Sequence, residues 1–187
     1  MHRSIRRTLL ALLGAGLLGS AAQAAETTTY GWVEKGTIEP WGTEVKVKLD
    51  TGALTSSMQA EEIEAFERDG EDWVRFTTEV EDEATNEVVS KTFERPVFRD
   101  LRVRGAGGVE SRPVVLMTLC MGETLREEQF SLEDRDDMNY PVLLGRRTIQ
   151  DLGSVETTRT FMHEPECNDD SPVKSHSGKE YDEDIGV

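Results

Sequence analysis

The 187 residues carry 37 acidic side chains against 21 basic ones, a formal charge of −16, and only 6% are aromatic. A surface this negative repels phosphate backbones, so a nucleic-acid-binding role is excluded, and the charge reads chiefly as a device for solubility. The length suits one domain with tails.

In chain order, the first feature is a leader. His2, Arg3, Arg6 and Arg7 precede an apolar run from Leu9 to Leu18, and Ala22-Gln23-Ala24 follows. The run is too short to span a bilayer, and the pattern is that of a secretory signal peptide over residues 1–24, cleaved after Ala24. The remaining chain holds 18 basic and 37 acidic residues, a charge of −19, and no later apolar stretch of membrane-spanning length. The expected location is the periplasm or the exterior, with no membrane span in the mature chain.

Thr27 to Val33 reads as a first strand, and Gly36 to Gly42, with Pro40, as a turn region. Val45 to Leu49 alternates apolar and charged residues, the mark of a strand with one buried face. Thr55 to Ala60 continues as extended chain. Glu61 to Arg68 fits either a short amphipathic helix or one arm of a hairpin; Asp69-Gly70, followed by the strand-like Trp73 to Phe76, favours the hairpin. Further strands are expected over Val88 to Phe93, Val97 to Val103 and Pro113 to Cys120, with a loop over Gly105 to Gly108. A short extended piece covers Gln129 to Leu132. Val142 to Leu144 is an apolar strand, Arg146 to Leu152 forms one or two helical turns, and Val155 to Phe161 is a closing strand. From Glu164 the chain is acidic and polar and is expected to be disordered. The sum is an all-β domain over residues 25–163, a small closed barrel with one short helix near the end of the domain, followed by a tail over 164–187.

Cys120 and Cys167 are the only cysteines. An exported chain permits a disulfide between them, which would fasten the tail to the domain; the alternative is two unpaired thiols.

The chemistry concentrates at Asp50-Thr51-Gly52-Ala53, directly after the alternating strand. Tyr140-Pro141-Val142-Leu143-Leu144-Gly145-Arg146, an apolar strand ending in Gly-Arg, comes about ninety residues later. Alone, an Asp-Thr-Gly is an ordinary turn. Together, the two elements resemble a retropepsin-like aspartic peptidase. Such an enzyme uses two carboxylates about 3 Å apart that share one proton; the ionised one activates water and the protonated one polarises the scissile carbonyl. Asp50 is then the catalytic residue, with Thr51, Gly52, Ala53, Gly145 and Arg146 supporting its loop. Gly52 and Ala53 leave room for substrate backbone, and Gly145 lets its strand approach the loop. One Asp-Thr-Gly per chain means that the second carboxylate must come from a second copy, so activity requires a homodimer.

The resemblance extends further. Lys48 to Ala60, Ile63-Glu64, Phe66 to Gly70, Trp73 to Phe76, Arg95-Pro96-Val97, Arg112-Pro113-Val114 and Pro141 to Arg147 are similar to a bacterial family labelled an ATP-dependent zinc protease and associated with RimK glutamate ligases. The likeness covers residues 30 to 162. It implies a retropepsin-like barrel, Asp50 as the catalytic position, and a flap within Phe76 to Phe93 that closes over the substrate cleft. This chain is identified as an exported member. It departs from the family pattern at Leu54, where arginine is common, and at Gln59, where histidine is common. Retroviral proteases place an acid at the position of Leu54 that pairs with the arginine of the Gly-Arg element, so Arg146 is expected to lack that partner.

No zinc or ATP site accompanies the label. There is no His-Glu-x-x-His. His163 and His176 are the only histidines beyond the leader, and His163, Cys167 and nearby acids fall short of a zinc ligand set. Gly105-Ala106-Gly107-Gly108 lacks the Lys-Ser/Thr of a phosphate loop. No cofactor is expected. Three functions compete: an exported homodimeric aspartic endopeptidase acting on peptide or protein, a non-catalytic peptide-binding module on the same scaffold, and a metal-dependent hydrolase.

Overall fold

The computed structural model describes residues 27–105, 108–181 and 184. The leader expected over 1–24 lies outside them. The strands are β1 (Thr29–Gly31), β2 (Val33–Glu39), β3 (Thr43–Leu49), β4 (Ser56–Gln59), β5 (Glu61–Arg68), β6 (Glu71–Asp82), β7 (Glu87–Pro96), β8 (Arg99–Gly105), β9 (Gly108–Met121), β10 (Thr124–Glu133), β11 (Val142–Leu144), β12 (Ser154–Glu156) and β13 (Val173–Lys174). Among the described residues the single α-helix, α1, spans Arg146–Leu152.

The main sheet runs β13-β10-β4-β11-β3-β2-β9-β8, and β9 pairs back onto β10, so six strands from β10 round to β9 close into a ring. The protein is therefore nearly all-β, as expected. The alternation in β3 explains its place. Thr43, Val45, Val47 and Leu49 point inward while Glu44, Lys46 and Lys48 point outward, and each buried aliphatic contributes about 1.5–3 kcal/mol. Ile38, Met58, Phe76, Met117, Leu119, Phe130 and Val142 fill the interior with them.

The insertion of β11 matters most for the site. It lies parallel to β3, with Leu144 opposite Leu49, and antiparallel to β4, with Leu143 opposite Ser57. The residues just after β3 and just before β4 thus meet at the end of β11.

Glu61 to Arg68 is a strand. It pairs with β6 through a turn at Asp69 and Gly70, both with positive φ (54° and 80°), as a two-residue hairpin requires. β7 completes a three-stranded sheet.

Several expectations are corrected. The short piece over Gln129 to Leu132 belongs to the ten-residue β10, because its register with β9 extends from Thr124 to Ser131. Of the loop expected over Gly105 to Gly108, the two end glycines belong to β8 and β9 and pair with each other, and Ala106 and Gly107 lie outside the described residues. The closing strand over Val155 to Phe161 shrinks to β12, which pairs with β1. Past it, the chain is captured by other groups. Trp32 N–H donates to the Arg159 carbonyl (3.1 Å) and Phe161 N–H to the Val33 carbonyl (2.8 Å). The buried Glu34 carboxylate accepts from Met162 and His163 N–H at 2.8 and 3.1 Å.

The hairpin expected as a flap is present in β6 and β7, but its turn is tied down away from Asp50. Glu83 N–H donates to the Glu44 carbonyl (2.9 Å), and Lys46 pairs with Glu83 (2.7 Å). Glu44 lies six residues before Asp50 along β3, roughly 20 Å of extended chain.

The tail expected to be disordered is laid along the ring over residues 164–181. Cys120 and Cys167 form a disulfide, with Cα atoms 5.9 Å apart. β13 adds in parallel to β10, and the Lys179 side chain is buried against Glu128 at 2.6 and 2.7 Å. Composition misled here because a few non-local contacts offset the ordering entropy that the polar sequence could not offset by itself.

Candidate active site

Asp50 follows β3 at the end of β11. Its backbone N–H donates to the Leu144 carbonyl (2.8 Å). The chain then folds over its own carboxylate: Gly52 and Ala53 N–H donate to Oδ1 at 2.9 and 3.2 Å. Oδ2 takes a hydrogen bond from Lys48 Nζ at 2.9 Å. Lys48 stands two residues back on the same strand, so the period of two puts both side chains on one side. The Lys48 bond, then the two backbone donors, hold the Asp50 carboxyl below the ordinary aspartate range against the opposing effect of burial. Asp50 keeps 26% side-chain exposure, and Thr51 and Gly52 are exposed.

The loop is held from the Gly-Arg corner. Arg146 N–H donates to the Ala53 carbonyl (2.9 Å) and Arg147 N–H to the Leu54 carbonyl (3.2 Å). The Arg146 guanidinium donates to the carbonyls of Thr51 (3.0 Å) and Gly52 (3.2 Å). With leucine at position 54 there is no acid there for Arg146, and backbone oxygens of the Asp50 loop take up its guanidinium instead. A Cβ added at Gly145 would stand 2.7 Å from the Leu54 carbonyl carbon and oxygen, a separation no side chain tolerates without backbone movement.

Behind the corner runs a buried polar network. Gly145 N–H donates to Ser56 Oγ (3.1 Å), and Ser56 Oγ meets Thr148 Oγ1 at 2.9 Å. Thr148 donates to Glu128 Oε2 at 3.0 Å. On the other side, the buried Gln59 donates to Asp136 (2.6 Å) and Glu61 (2.9 Å) and accepts from Arg135 N–H (2.5 Å). Arg135 itself is buried. It donates to Ser57 Oγ (2.7 Å) and the Tyr140 carbonyl (3.0 Å). Desolvation lowers its proton affinity, while the charges of Glu133 and Asp50 pull the other way. Lys48, Arg135, Ser56 and Thr148 escaped the sequence reading. Lys48 alone carried a signal, its spacing from Asp50 on a strand.

Two residues weighed as metal ligands are otherwise engaged. Cys167 is in the disulfide, and His163 Nε2 lies 2.8 Å from the Thr29 carbonyl. A groove of about 1140 Å³ lies between Pro96, Phe98, Leu116 and Leu125 and does not include Asp50. Within one chain, Asp50 is partly exposed, and the exposed Thr51 and Gly52 follow it. No helix among the described residues is long and apolar enough to cross a membrane.

A crystal structure of a Legionella pneumophila protein of unknown function is similar over 74% of this chain and all of that one, with 31% identity and a TM-score of 0.63. Two proteins named probable alpha-L-glutamate ligase are also similar. One from Desulfotalea psychrophila is 35% identical over 109 residues, 57% of this chain and 23% of that protein. One from Shewanella halifaxensis is 30% identical over 118 residues, 63% of this chain and 25% of that protein. The chain thus spans about a quarter of the length of these two relatives. The family model described as RimB-like, retropepsin-like aspartic endopeptidase RimB, matches residues 29–166, and the chain belongs to this family.

Proposed function

We propose that this protein is an exported aspartic endopeptidase, active as a homodimer in which Asp50 from each copy forms the dyad. The observation that carries the reading is the Asp50 loop. Its carboxylate accepts two backbone N–H groups, Arg146 grips the loop carbonyls, and Thr51 and Gly52 face outward where a second copy can meet them.

When two such loops meet about a twofold axis, the carboxylates cannot both stay ionised at about 3 Å, so one proton is shared. The ionised Asp50 takes a proton from water as the water attacks the peptide carbonyl. The protonated Asp50 donates to the carbonyl oxygen, and collapse of the tetrahedral intermediate returns a proton to the leaving amine. Dimerisation raises the proton affinity of one Asp50, opposite to what Lys48 does in the single chain. The cleft then lies between two copies, in keeping with the partial exposure of Asp50 in one. The disulfide supports an oxidising location outside the cytoplasm, as does the sequence pattern read as a leader over residues 1–24.

A second reading, a peptide-binding module without catalysis, is favoured by one feature: Lys48 already occupies Oδ2, as it would if Asp50 merely closed a turn. The test is hydrolysis of unfolded protein and peptide libraries from about pH 3 to 7. The endopeptidase reading predicts cleavage that Asp50→Asn abolishes. Peptide binding without cleavage by either protein would establish the second reading instead.

A further inference from the structure

The matched family region ends at residue 166, yet the chain beyond it supplies a buried side chain to the same network that holds the Asp50 loop. Lys179 and Glu128 side chains are 4% and 5% exposed and lie 2.6 Å apart. Lys179 also pairs with Asp151 on α1 at 3.1 Å.

The hydrogen-bond directions between Glu128 and the loop are fixed by counting protons. Thr148 has one hydroxyl proton and gives it to the Glu128 carboxylate. Ser56 must therefore donate to Thr148, and its own oxygen accepts from Gly145 N–H. The chain runs head to tail from Gly145 through Ser56 and Thr148 to Glu128, so each bond polarises the next in the same sense. It ends on a carboxylate whose charge is balanced by Lys179. Gly145 is the residue on which α1 begins and from which Arg146 reaches the carbonyls of Thr51 and Gly52.

The segment that delivers Lys179 is fastened at several points. The disulfide anchors its start. Leu125 N–H donates to the Pro172 carbonyl (2.9 Å), His176 N–H donates to Glu127 (3.1 Å), and Gln150 donates to the Glu180 carbonyl (3.0 Å).

We propose that Lys179 is a positioning residue for the Asp50 loop, acting through Glu128, Thr148 and Ser56, and that residues 167–181 form a disulfide-fastened strap that completes the site. Its role in cleavage rests on the endopeptidase reading; its hold on the loop does not. Removing Lys179 leaves a buried carboxylate without its counter-charge, and that carboxylate draws in water or rearranges. Either outcome breaks the relay at its charged end and frees the Gly145 corner.

The test is amide hydrogen exchange, followed by mass spectrometry, on the protein expressed as the full chain with its leader. Lys179→Met is expected to speed exchange in residues 50–56 and 144–149 at least roughly tenfold more than in the β6–β7 hairpin. Glu128→Gln/Lys179→Met is expected to return most of the protection, because glutamine still accepts from Thr148 and no charge is buried. Thr148→Val cuts the relay with the strap in place, so it reads out the proposal even if Lys179→Met does not fold. It should loosen residues 50–56 likewise. Unchanged exchange in 50–56 in Thr148→Val, equal loosening of loop and hairpin in Lys179→Met, or no recovery in the double variant would each overturn the proposal. In a cleavage assay Lys179→Met should lower kcat with little change in KM. If the wild type and Asp50→Asn are equally inert, the endopeptidase reading fails, and the exchange result still decides the strap.

Discussion

The Asp50 corner and the three-stranded sheet are secured by opposite means. The sheet packs Val74, Phe76, Val80 and Phe93 into the core and leaves its ions outside, where Arg75 and Arg68 share Glu94. At the corner, polar groups are turned inward: all four residues of β4 are buried, three of them polar, and a lysine–glutamate pair sits almost out of reach of water. Apolar packing tolerates small shifts, whereas a chain of directed hydrogen bonds fixes one geometry. A reacting carboxylate needs the second kind of support, and an outlying hairpin does not.

The sharpest way to break this contrast is Lys179→Met. By leaving Glu128 buried without a counter-charge it should cost about 3–5 kcal/mol in denaturant unfolding, and a loss no larger than that of an ordinary surface change would erase the distinction. Gly145→Ala comes next. Its methyl would press on the Leu54 backbone, so a loss of about 3 kcal/mol is expected, against roughly 1 kcal/mol at Gly42, where φ is +80° and nothing lies within 4 Å. Equal costs would show that the corner yields as readily as an exposed turn.

A third test uses acid. Because its pKa is depressed in the folded single chain, the Asp50 carboxylate of the undimerised protein contributes stability that is present above the unfolded value of about 4 and is lost as pH falls through the lower folded value. Lys48→Met removes the leading cause, so the part of the acid-side decline due to Asp50 should shrink in urea midpoints measured across that window. An unaltered decline would mean that Lys48 does not hold this charge. The smallest effect belongs to the sheet: Arg75→Ala should leave the thermal midpoint within measurement error, since its partners are solvated.

The same contrast governs what could be read from the sequence. Strand β3 was legible because Val45, Val47 and Leu49 alternate with charges. The Asp69-Gly70 hairpin was legible because those residues adopt positive φ readily. β5 was ambiguous because most of its residues are exposed, which removes the periodic signal. Asp50 stands out by residue type and context, but what holds it does not. Arg146 binds backbone oxygens, which leave no mark in a sequence, and Arg135 looks like one more charge in an acidic loop. The strap was misread for a related reason. Lys179 meets Glu128 across fifty-one residues, and nothing local in the acidic tail distinguishes a buried lysine from a solvated one.

The central claim, a dyad assembled from two copies, is tested most directly by mixing. Wild type and Asp50→Asn protein are combined at fixed total concentration, allowed to exchange subunits, and assayed for peptide cleavage. A shared dyad predicts that activity follows the square of the wild-type fraction, about one quarter in an equal mixture, because only pairs with two aspartates react. A linear dependence, about one half in the same mixture, would show that each chain works alone and would contradict the account.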